Sequence, residues 1–439
     1  MKIKKLSIIL LIFFFTIISF SIITYSNLDK IKTIGKYIVK RANNEQITNI
    51  RKEIDLVNDL VKKNYFFQRR SNLANDFLLY KDKYKLNLKK ISLPETIYER
   101  PGGYSDVFEN NLLIVRGNGE IFNYNKNKFF KIDSNLKDFI NQNVDEGYLV
   151  NAVRDFKIFD KEIFVVLIGS KFEPHETECC GVINNKLTPI ILKADIDGLS
   201  KKFLDFKIFF KTNEYSKENS NPDHGGGKIY KIKGEFYFAV PDHGEVLNGP
   251  QNKDSIFGKV IKILDNQNYE IITSGHRNPQ GLIYIPKYDI ILNSEHGPQG
   301  GDEINLLIKG KNYGWPISSL GIGDNVKNND HKANGFVEPL YFWKINPGVS
   351  ELAYIPSNSN LPFRDTVLVS SLSGSQTGPT EYTGNHIYIF KFKDNKLVED
   401  GKIFLDDRIR DLTYDPLNDH LIALLEDQSK LLIIDFKNN

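Results

Sequence analysis

The stretch from Gly275 to Pro316 is rich in side chains that can do chemistry. It holds two histidines, an arginine and four acidic residues, and glycines and prolines interrupt its apolar runs. We therefore expect most of it to be loop, whose polar groups need partners other than a sheet ladder. Glycine and proline turns also expose carbonyls, which together with carboxylates are the ligands that Ca²⁺ prefers. The stretch is a candidate for ligand and cation binding.

Two further groups of residues have side chains suited to a reaction. His224 precedes three glycines, which would let the backbone approach a flat ligand while the imidazole stays exposed. A histidine can act as a general base near neutral pH, although a loop histidine bonded to backbone is the alternative. Arg277 and Asn278 place a charge beside an amide, which suits an oxygen that becomes negative during a reaction.

Arg408 and Arg410 are separated by one residue, so in a strand both side chains face the same side. Two guanidinium groups on one side favour a polyanionic ligand. The alternative is short-range pairing with the neighbouring acids, which are Asp406, Asp407 and Asp411.

The elements that must position these residues follow a repeat. A turn, an apolar strand and a polar exit recur in six copies, which start at Asn110, Lys161, Gly234, Tyr288, Arg364 and Asp419. Repeats of this size with several strands each are typical of propeller blades, whereas a β-sandwich would not give so regular a repeat. The predicted fold class is all-β, a six-bladed β-propeller over residues 94–439. Loops from different blades would then build one pocket.

Several ordered motifs resemble those of the glucose/sorbosone dehydrogenases, which are soluble six-bladed quinoproteins that use pyrroloquinoline quinone (PQQ) and calcium. The motifs are D-H-x-x-G, H-R-N-P-Q-G-L, E-H-G-P-x-G-G-D-E-I-N, K-N-Y-G-W-P and R-I-R-D. The resemblance is sharpest from Asp223 to Pro316 and does not reach the first 93 residues. It implies PQQ- and Ca²⁺-dependent oxidation of an aldose or related polyol, with hydride transfer to PQQ.

The resemblance also implies a role for each matching residue. His224 would be the general base, Asp242 the carboxylate that orients it, and Arg277 a group that polarises the quinone. The other implied cofactor-binding positions are Asp223, Asn278, Arg408 and Arg410.

Calcium would take two places in the same resemblance. Backbone oxygens of Gly297 and Pro298 would hold the ion that touches the quinone. Glu303 and Tyr313 resemble a second, structural calcium site.

The chain departs from the family pattern at two positions. Ser373 stands where the family usually has a lysine, and Val115 stands where an acid precedes Arg116. The segment from Ser373 to Asn385 resembles an extra loop. Two alternatives therefore stay open: a redox-silent calcium-binding propeller that binds a glycan or a protein, and a calcium-dependent lactone hydrolase.

The start of the chain predicts a membrane anchor. Leu6 to Tyr25 is twenty residues without a charge, long enough for a helix that spans a bilayer. Residues 1–26 are assigned to this transmembrane helix, since no A-x-A cleavage site follows it. The bulk of the chain is then expected in the periplasm or exterior, and secreted if the segment is cleaved. A membrane electron acceptor would suit such a location.

Residues 27–93 are predicted as a basic helical stalk, because apolar residues recur there at helical spacing. The first 100 residues hold 20 Lys and Arg against 9 Asp and Glu, in a chain whose net charge is +3. For an exported chain this favours a solvated or lipid-facing segment and no nucleic acid. The only two cysteines, Cys179 and Cys180, are adjacent and support neither a disulfide framework nor a four-ligand zinc site.

Overall fold

Antiparallel sheets arranged as six blades make up the part of the chain that the structure, a computed structural model, describes. The described residues are 86–94, 102–144, 152–172, 185–199, 203–216, 224–246, 249–322, 331–372, 383–394 and 396–436. All of them belong to one compact unit, residues 75–439.

The first three blades are formed by strands that follow one another along the chain. Blade 1 contains β2 (Gly103–Phe108), β3 (Asn111–Arg116), β4 (Ile121–Asn125) and β5 (Lys128–Ser134), with the short parallel β9 (Phe203–Leu204) beside β5. Blade 2 contains β6 (Val153–Phe159), β7 (Glu162–Phe172), β8 (Asn185–Asp195) and β10 (Lys207–Lys211). Blade 3 contains β11 (Lys228–Ile232), β12 (Glu235–Val240), β13 (Lys259–Ile263) and β14 (Tyr269–Ser274).

The other three blades repeat the pattern. Blade 4 contains β15 (Asn278–Ile285), β16 (Ile290–His296), β17 (Asp302–Leu306) and β18 (Tyr341–Trp343). Blade 5 contains β19 (Val349–Ile355), β20 (Thr366–Ser371), β21 (His386–Lys393) and β22 (Lys396–Phe404). Blade 6 contains β23 (Ile409–Asp415), β24 (His420–Leu425), β25 (Lys430–Phe436) and β1 (Leu86–Ser92). The helix α1 (Leu136–Asn143) and a 3₁₀ turn (Ile196–Leu199) lie in connections.

The six-bladed prediction is confirmed, and each of the six sequence repeats is the second strand of its blade. The first strands of neighbouring blades contact one another in a closed ring around the axis. Every pair of neighbouring blades shares an apolar cluster, such as Leu113 with Val165 and Ala353 with Leu421. Burial of these aliphatic faces is the main force that holds the blades together.

The prediction that the helical stalk extends to residue 93 is wrong for its last residues. Leu86–Ser92 was assigned to the helical stalk, but it is the outer strand of blade 6 and pairs antiparallel with β25, from Leu86 opposite Phe436 to Ser92 opposite Lys430. Leu88 on one side packs against the core between blades 5 and 6, and Ile91 packs against the core between blades 6 and 1. The strand Leu86–Ser92 therefore closes the ring.

The stretch Gly275–Pro316 holds more strand than expected, because β15, β16 and β17 account for 20 of its 42 residues and loops for the other 22. The register of β15 against β16 shifts between Pro279 and Gly281, so the proline sits at a bulge where a missing N–H is tolerated.

No helix among the described residues is long and apolar enough to cross a membrane. The predicted anchor over residues 1–26 and most of the predicted stalk lie outside the described residues, as do Cys179 and Cys180.

Candidate active site

One face of the propeller collects the polar strand ends. Because successive strands of a blade are antiparallel, the start of each first strand and the end of each second strand lie on the same face. His224 precedes β11 and Arg277 precedes β15, whereas Asp242 follows β12 and His296 ends β16. The repeat therefore brings residues that are far apart in sequence to one end of the axis.

His224 and Asp242 form a buried hydrogen-bonded pair. His224 Nδ1 lies 2.7 Å from Asp242 Oδ1. The aspartate is fully buried and the histidine retains 8% exposure. Since an ionised carboxylate can only accept, it fixes the proton on Nδ1 and leaves the lone pair of Nε2 for a substrate.

Asp242 is itself held by two more donors. Trp315 Nε1 donates to Oδ2 at 2.8 Å, and the Gly244 amide donates to Oδ1 at 3.0 Å. Burial raises the pKa of Asp242, but the adjacent His224 and Arg277 and the Gly244 amide outweigh it and hold the pKa below its usual value. The carboxylate is therefore charged at neutral pH.

Arg277 lies beside this pair. Its guanidinium is stacked over the Trp315 ring at 5.1 Å, and its Nη1 donates to the carbonyls of His296 at 3.2 Å and Gly297 at 3.0 Å. No role is predicted from the sequence for Trp315, although it lies in the K-N-Y-G-W-P motif. The structure shows that Trp315 joins Asp242 to Arg277.

Asn278 ties the loop of His224 to the next blade. Its Oδ1 accepts from the Gly226 amide at 3.0 Å and from Gln280 Nε2 at 2.9 Å. A Cβ at Gly226 would lie 1.9 Å from the carbonyl oxygen of Pro279, so only glycine permits this approach of the two loops. Asn278 thus positions the segment that carries His224.

A pair of buried acids lies behind Arg277. Asn305 Nδ2 donates to Glu295 at 2.7 Å and to Glu303 at 2.8 Å, and His276 Nδ1 lies 3.1 Å from Glu295. Burial, and then the neighbouring Glu295 carboxylate, raise the pKa of Glu303 well above its usual value. Two carboxyl groups this close favour either a retained proton or a bound cation.

Tyr313 lines the same cavity as Glu295 and Glu303. Its hydroxyl donates to the Leu306 carbonyl and accepts from the Ile308 amide at 3.0 Å, and its ring stacks on His276 at 4.7 Å. The phenol is therefore used to hold the loop after β17, whereas the ring forms a wall of the cavity.

The carbonyls of Gly297 and Pro298 form a shelf next to Arg277. Asn346 Nδ2 donates to the Pro298 oxygen at 2.5 Å, in addition to the bond from Arg277 to Gly297. Asp302 supports the shelf from below by accepting the amides of Gly297 at 3.0 Å and Gly348 at 2.8 Å. Neither Asp302 nor Asn346 was predicted from the sequence as a site residue.

Arg408 and Arg410 converge on one acid that the sequence analysis missed, Glu426. Arg408 Nε donates to Glu426 at 2.7 Å, and Arg410 Nε donates to it at 3.1 Å. The carboxylates of Asp407 and Asp411 instead accept from backbone amides of Asp427 and Ser105. The polar exit "LLEDQ" of the sixth repeat was the available signal for Glu426.

Not every predicted position is brought together. Asp223 and Ser373 lie outside the described residues, and so does most of the extra loop from Ser373 to Asn385. Among the described residues, no group of three or more His, Cys, Asp or Glu side chains is arranged to hold a metal ion.

Comparison with known proteins agrees with this architecture. A family model described as Glucose / Sorbosone dehydrogenase matches residues 178–434. Aldose sugar dehydrogenase YliI of Escherichia coli is 29% identical over 253 residues, which cover 53% of this chain and 64% of that protein. Quinoprotein glucose dehydrogenase B of Acinetobacter calcoaceticus is 44% identical over 166 residues, 30% of this chain and 32% of that protein. These alignments thus span less than two thirds of either relative.

Solved structures share the fold. The soluble aldose sugar dehydrogenase of Escherichia coli, in its apo-form, superposes with a TM-score of 0.62 at 21% identity, over 80% of this chain and 100% of that one. The PQQ-bound aldose sugar dehydrogenase of Streptomyces coelicolor superposes with a TM-score of 0.54 at 17% identity, over 80% and 99%. Since the family model matches more than half of the chain, the chain belongs to the glucose/sorbosone dehydrogenase family.

Proposed function

We propose that the chain is a PQQ- and Ca²⁺-dependent oxidoreductase that oxidises an aldose or a related polyol. The family and the sugar dehydrogenases among its relatives support this reaction class. The observation that carries the proposal is the buried pair of His224 and Asp242, at 2.7 Å, on the face where the polar strand ends meet. Such a pair is what the removal of a proton from a sugar hydroxyl requires.

In this proposal His224 takes the hydroxyl proton on Nε2, because Nδ1 is committed to Asp242. Asp242 stabilises the imidazolium that forms, and Trp315 and the Gly244 amide keep the carboxylate in place. PQQ, when bound, supplies the acceptor for the hydride. Arg277, next to this pair, polarises the acceptor side of the pocket.

The described residues fit a cofactor with several carboxylates. Arg408 and Arg410 place two guanidinium groups at one corner, where both bind Glu426 and Arg408 also lies 4.0 Å from Asp427. Asn278 holds Gly226 through its oxygen, and we keep it in the proposed cofactor-binding set because it positions the loop of His224. The remaining residue of the proposed cofactor-binding set is Asp223, which lies outside the described residues.

A structural Ca²⁺ would fit the cavity of Glu295 and Glu303. These two buried carboxyl groups repel each other when both are ionised, and a divalent cation would offset that repulsion. Tyr313, the other residue that the family resemblance assigns to this ion, lines the same cavity with its ring.

A second Ca²⁺ would rest on the carbonyls of Gly297 and Pro298. These oxygens already accept N–H donors from Arg277 and Asn346, and a carbonyl oxygen has a second lone pair. The cation would therefore bind beside these donors or displace the Asn346 amide.

We further propose that residues 1–26 anchor the protein, that residues 27–85 are a stalk, and that the propeller lies in the periplasm or exterior. The uncharged run from Leu6 to Tyr25 supports this. Electrons would pass to a membrane carrier. Recovery of the propeller from cells by washing, without detergent, would contradict the anchor.

The test is dye reduction by the full chain over a panel of aldoses and polyols. We expect turnover that requires both PQQ and Ca²⁺ and that a chelator abolishes. Calcium binding without any PQQ binding would favour the redox-silent propeller, and lactone hydrolysis without quinone would favour the hydrolase.

A further inference from the structure

Arg116, at the end of β3, is a buried cation that the proposed mechanism does not use. Only 1% of the Arg116 surface is exposed. Nη2 donates to Ser429 Oγ at 3.2 Å, but Nε and Nη1 have no hydrogen-bond partner among the described residues. Unpartnered nitrogens on a buried guanidinium are costly, because each loses its bonds to water.

The charge of Arg116 persists at neutral pH. Burial lowers its pKa to about 10, which still leaves the group protonated. Glu120 is the acid that acts on it, but the Glu120 carboxylate is engaged by Lys131 at 2.9 Å and by Lys137 at 3.4 Å. The described surroundings therefore do not neutralise Arg116.

A second cation faces the same space. Arg116 and Arg410 line one cavity with Glu426 and Ser429, at the junction of the first and last blades. Arg410 and Arg408 both bind Glu426, at 3.0 Å and 2.7 Å. The Glu426 carboxylate is thus taken up by Arg408 and Arg410, and Arg116 keeps two guanidinium nitrogens without a partner among the described residues.

We infer that this junction is a binding site for the oxygens of a carboxylate or phosphate group, with Arg116 as its buried cation. The oxygens of such a group would meet Nε and Nη1 of Arg116 and a nitrogen of Arg410, and a charged hydrogen bond to guanidinium is among the stronger ones. The oxyanion has two possible sources, a free anion or a carboxylate of the quinone cofactor.

The experiment follows phosphate binding to the full chain in chloride buffer, without cofactor or sugar, by calorimetry and thermal melting. Three proteins are compared: wild type, Arg116→Met, and Arg364→Met as a control that removes an exposed arginine from blade 5. Phosphate should raise the melting temperature of wild type and of the control. In Arg116→Met it should bind roughly 10- to 100-fold more weakly. Without phosphate, this variant should be at least as stable as wild type, because the unpaired charge is gone.

Two results would overturn the inference. Equal phosphate effects in all three proteins would mean a general salt effect, and no phosphate binding to wild type would mean that the chain itself satisfies Arg116. If Arg116→Met does not fold, Arg116→Lys and the wild-type titration decide, since the wild type must bind in any case.

A further arm adds PQQ to the phosphate titration. Competition would assign the site to a cofactor carboxylate, and simultaneous binding would assign it to a free anion. Both results keep the site. No activity is measured, so failure of the proposed dehydrogenase function is distinguishable from failure of this inference.

Discussion

Replacement of Asp242 by asparagine should disable the proposed base through its tautomer. The carboxylate accepts from His224 Nδ1 at 2.7 Å and Gly244 N at 3.0 Å on one oxygen, and from Trp315 Nε1 at 2.8 Å on the other. Asparagine has the same shape but only one acceptor oxygen, and its other terminal atom is a donor. Whichever way the amide turns, one donor of the protein faces the NH₂ group.

The two orientations differ in their cost. With its oxygen toward His224, the amide sets its NH₂ against the indole N–H of Trp315, which can only donate. With its oxygen toward Trp315, it loses the Gly244 amide, and His224 must accept on Nδ1 and carry its proton on Nε2. We expect the second orientation, because the Trp315 bond is buried and the Gly244 bond is only partly buried.

Asp242→Asn should therefore lose about 1–3 kcal/mol of stability, the cost of one unsatisfied group. Turnover should fall by roughly 10²- to 10⁴-fold, the usual contribution of a positioned base. Urea unfolding and steady-state dye reduction measure the two effects, with Asp289→Asn as a control that removes an exposed, salt-bridged acid.

The orientation argument has a sharper test in a double variant. Trp315→Phe removes the competing indole donor, so in Asp242→Asn/Trp315→Phe the amide oxygen can turn back to His224. Relative to Trp315→Phe alone, the asparagine should then cost at least about tenfold less turnover than it costs in wild type. Equal costs in the two backgrounds, or Asp242→Asn turning over like wild type, would refute the reasoning.

Three further results are expected. Glu303→Gln should melt close to wild type in chelator but lose the rise in melting temperature with Ca²⁺, because burial and the Glu295 carboxylate favour the uncharged form of Glu303 when no cation is bound; a calcium response equal to wild type would remove Glu303 from the ligands. Burial lowers the pKa of His386 to about 3, so the unfolded chain binds a proton that the folded chain excludes. The free energy of unfolding should therefore fall as the pH drops below about 6.5, and His386→Gln should lower that slope by about 1.4 kcal/mol per pH unit; an unchanged slope would contradict this. A chain that starts at Pro94 should melt lower than one that starts at Asn75, since it lacks the strand Leu86–Ser92; identical melting curves would argue against closure by that strand.

The fold was predictable from sequence where its signal is local. Each repeat of turn, apolar strand and polar exit corresponds to the second strand of one blade, so the six repeats predict six blades. The closing strand Leu86–Ser92 was missed because its pairing partner, β25, begins more than 300 residues later. A seven-residue segment beside a predicted helical region has no local feature that reveals such a partner.

The candidate active site was also predictable only where the signal is local in sequence. Motif resemblance located His224, Asp242 and Arg277, and the structure brings them together. It did not reveal Trp315, whose bond to Asp242 spans 73 residues, or Glu426, which binds Arg410 from the next strand. These partners come from another strand of the same blade or from a neighbouring blade, so only the packed structure identifies them.

The central claim is that His224 removes a proton while hydride passes to a bound quinone. The most direct measurement loads the full chain with PQQ and Ca²⁺ and follows quinone absorbance after anaerobic mixing with an aldose, in wild type and His224→Ala. We predict one-step reduction in wild type, and in His224→Ala unchanged PQQ affinity with reduction slowed by roughly 10²- to 10⁴-fold. Equal reduction rates in the two proteins, or no reduction of bound PQQ by any aldose or polyol, would contradict the account.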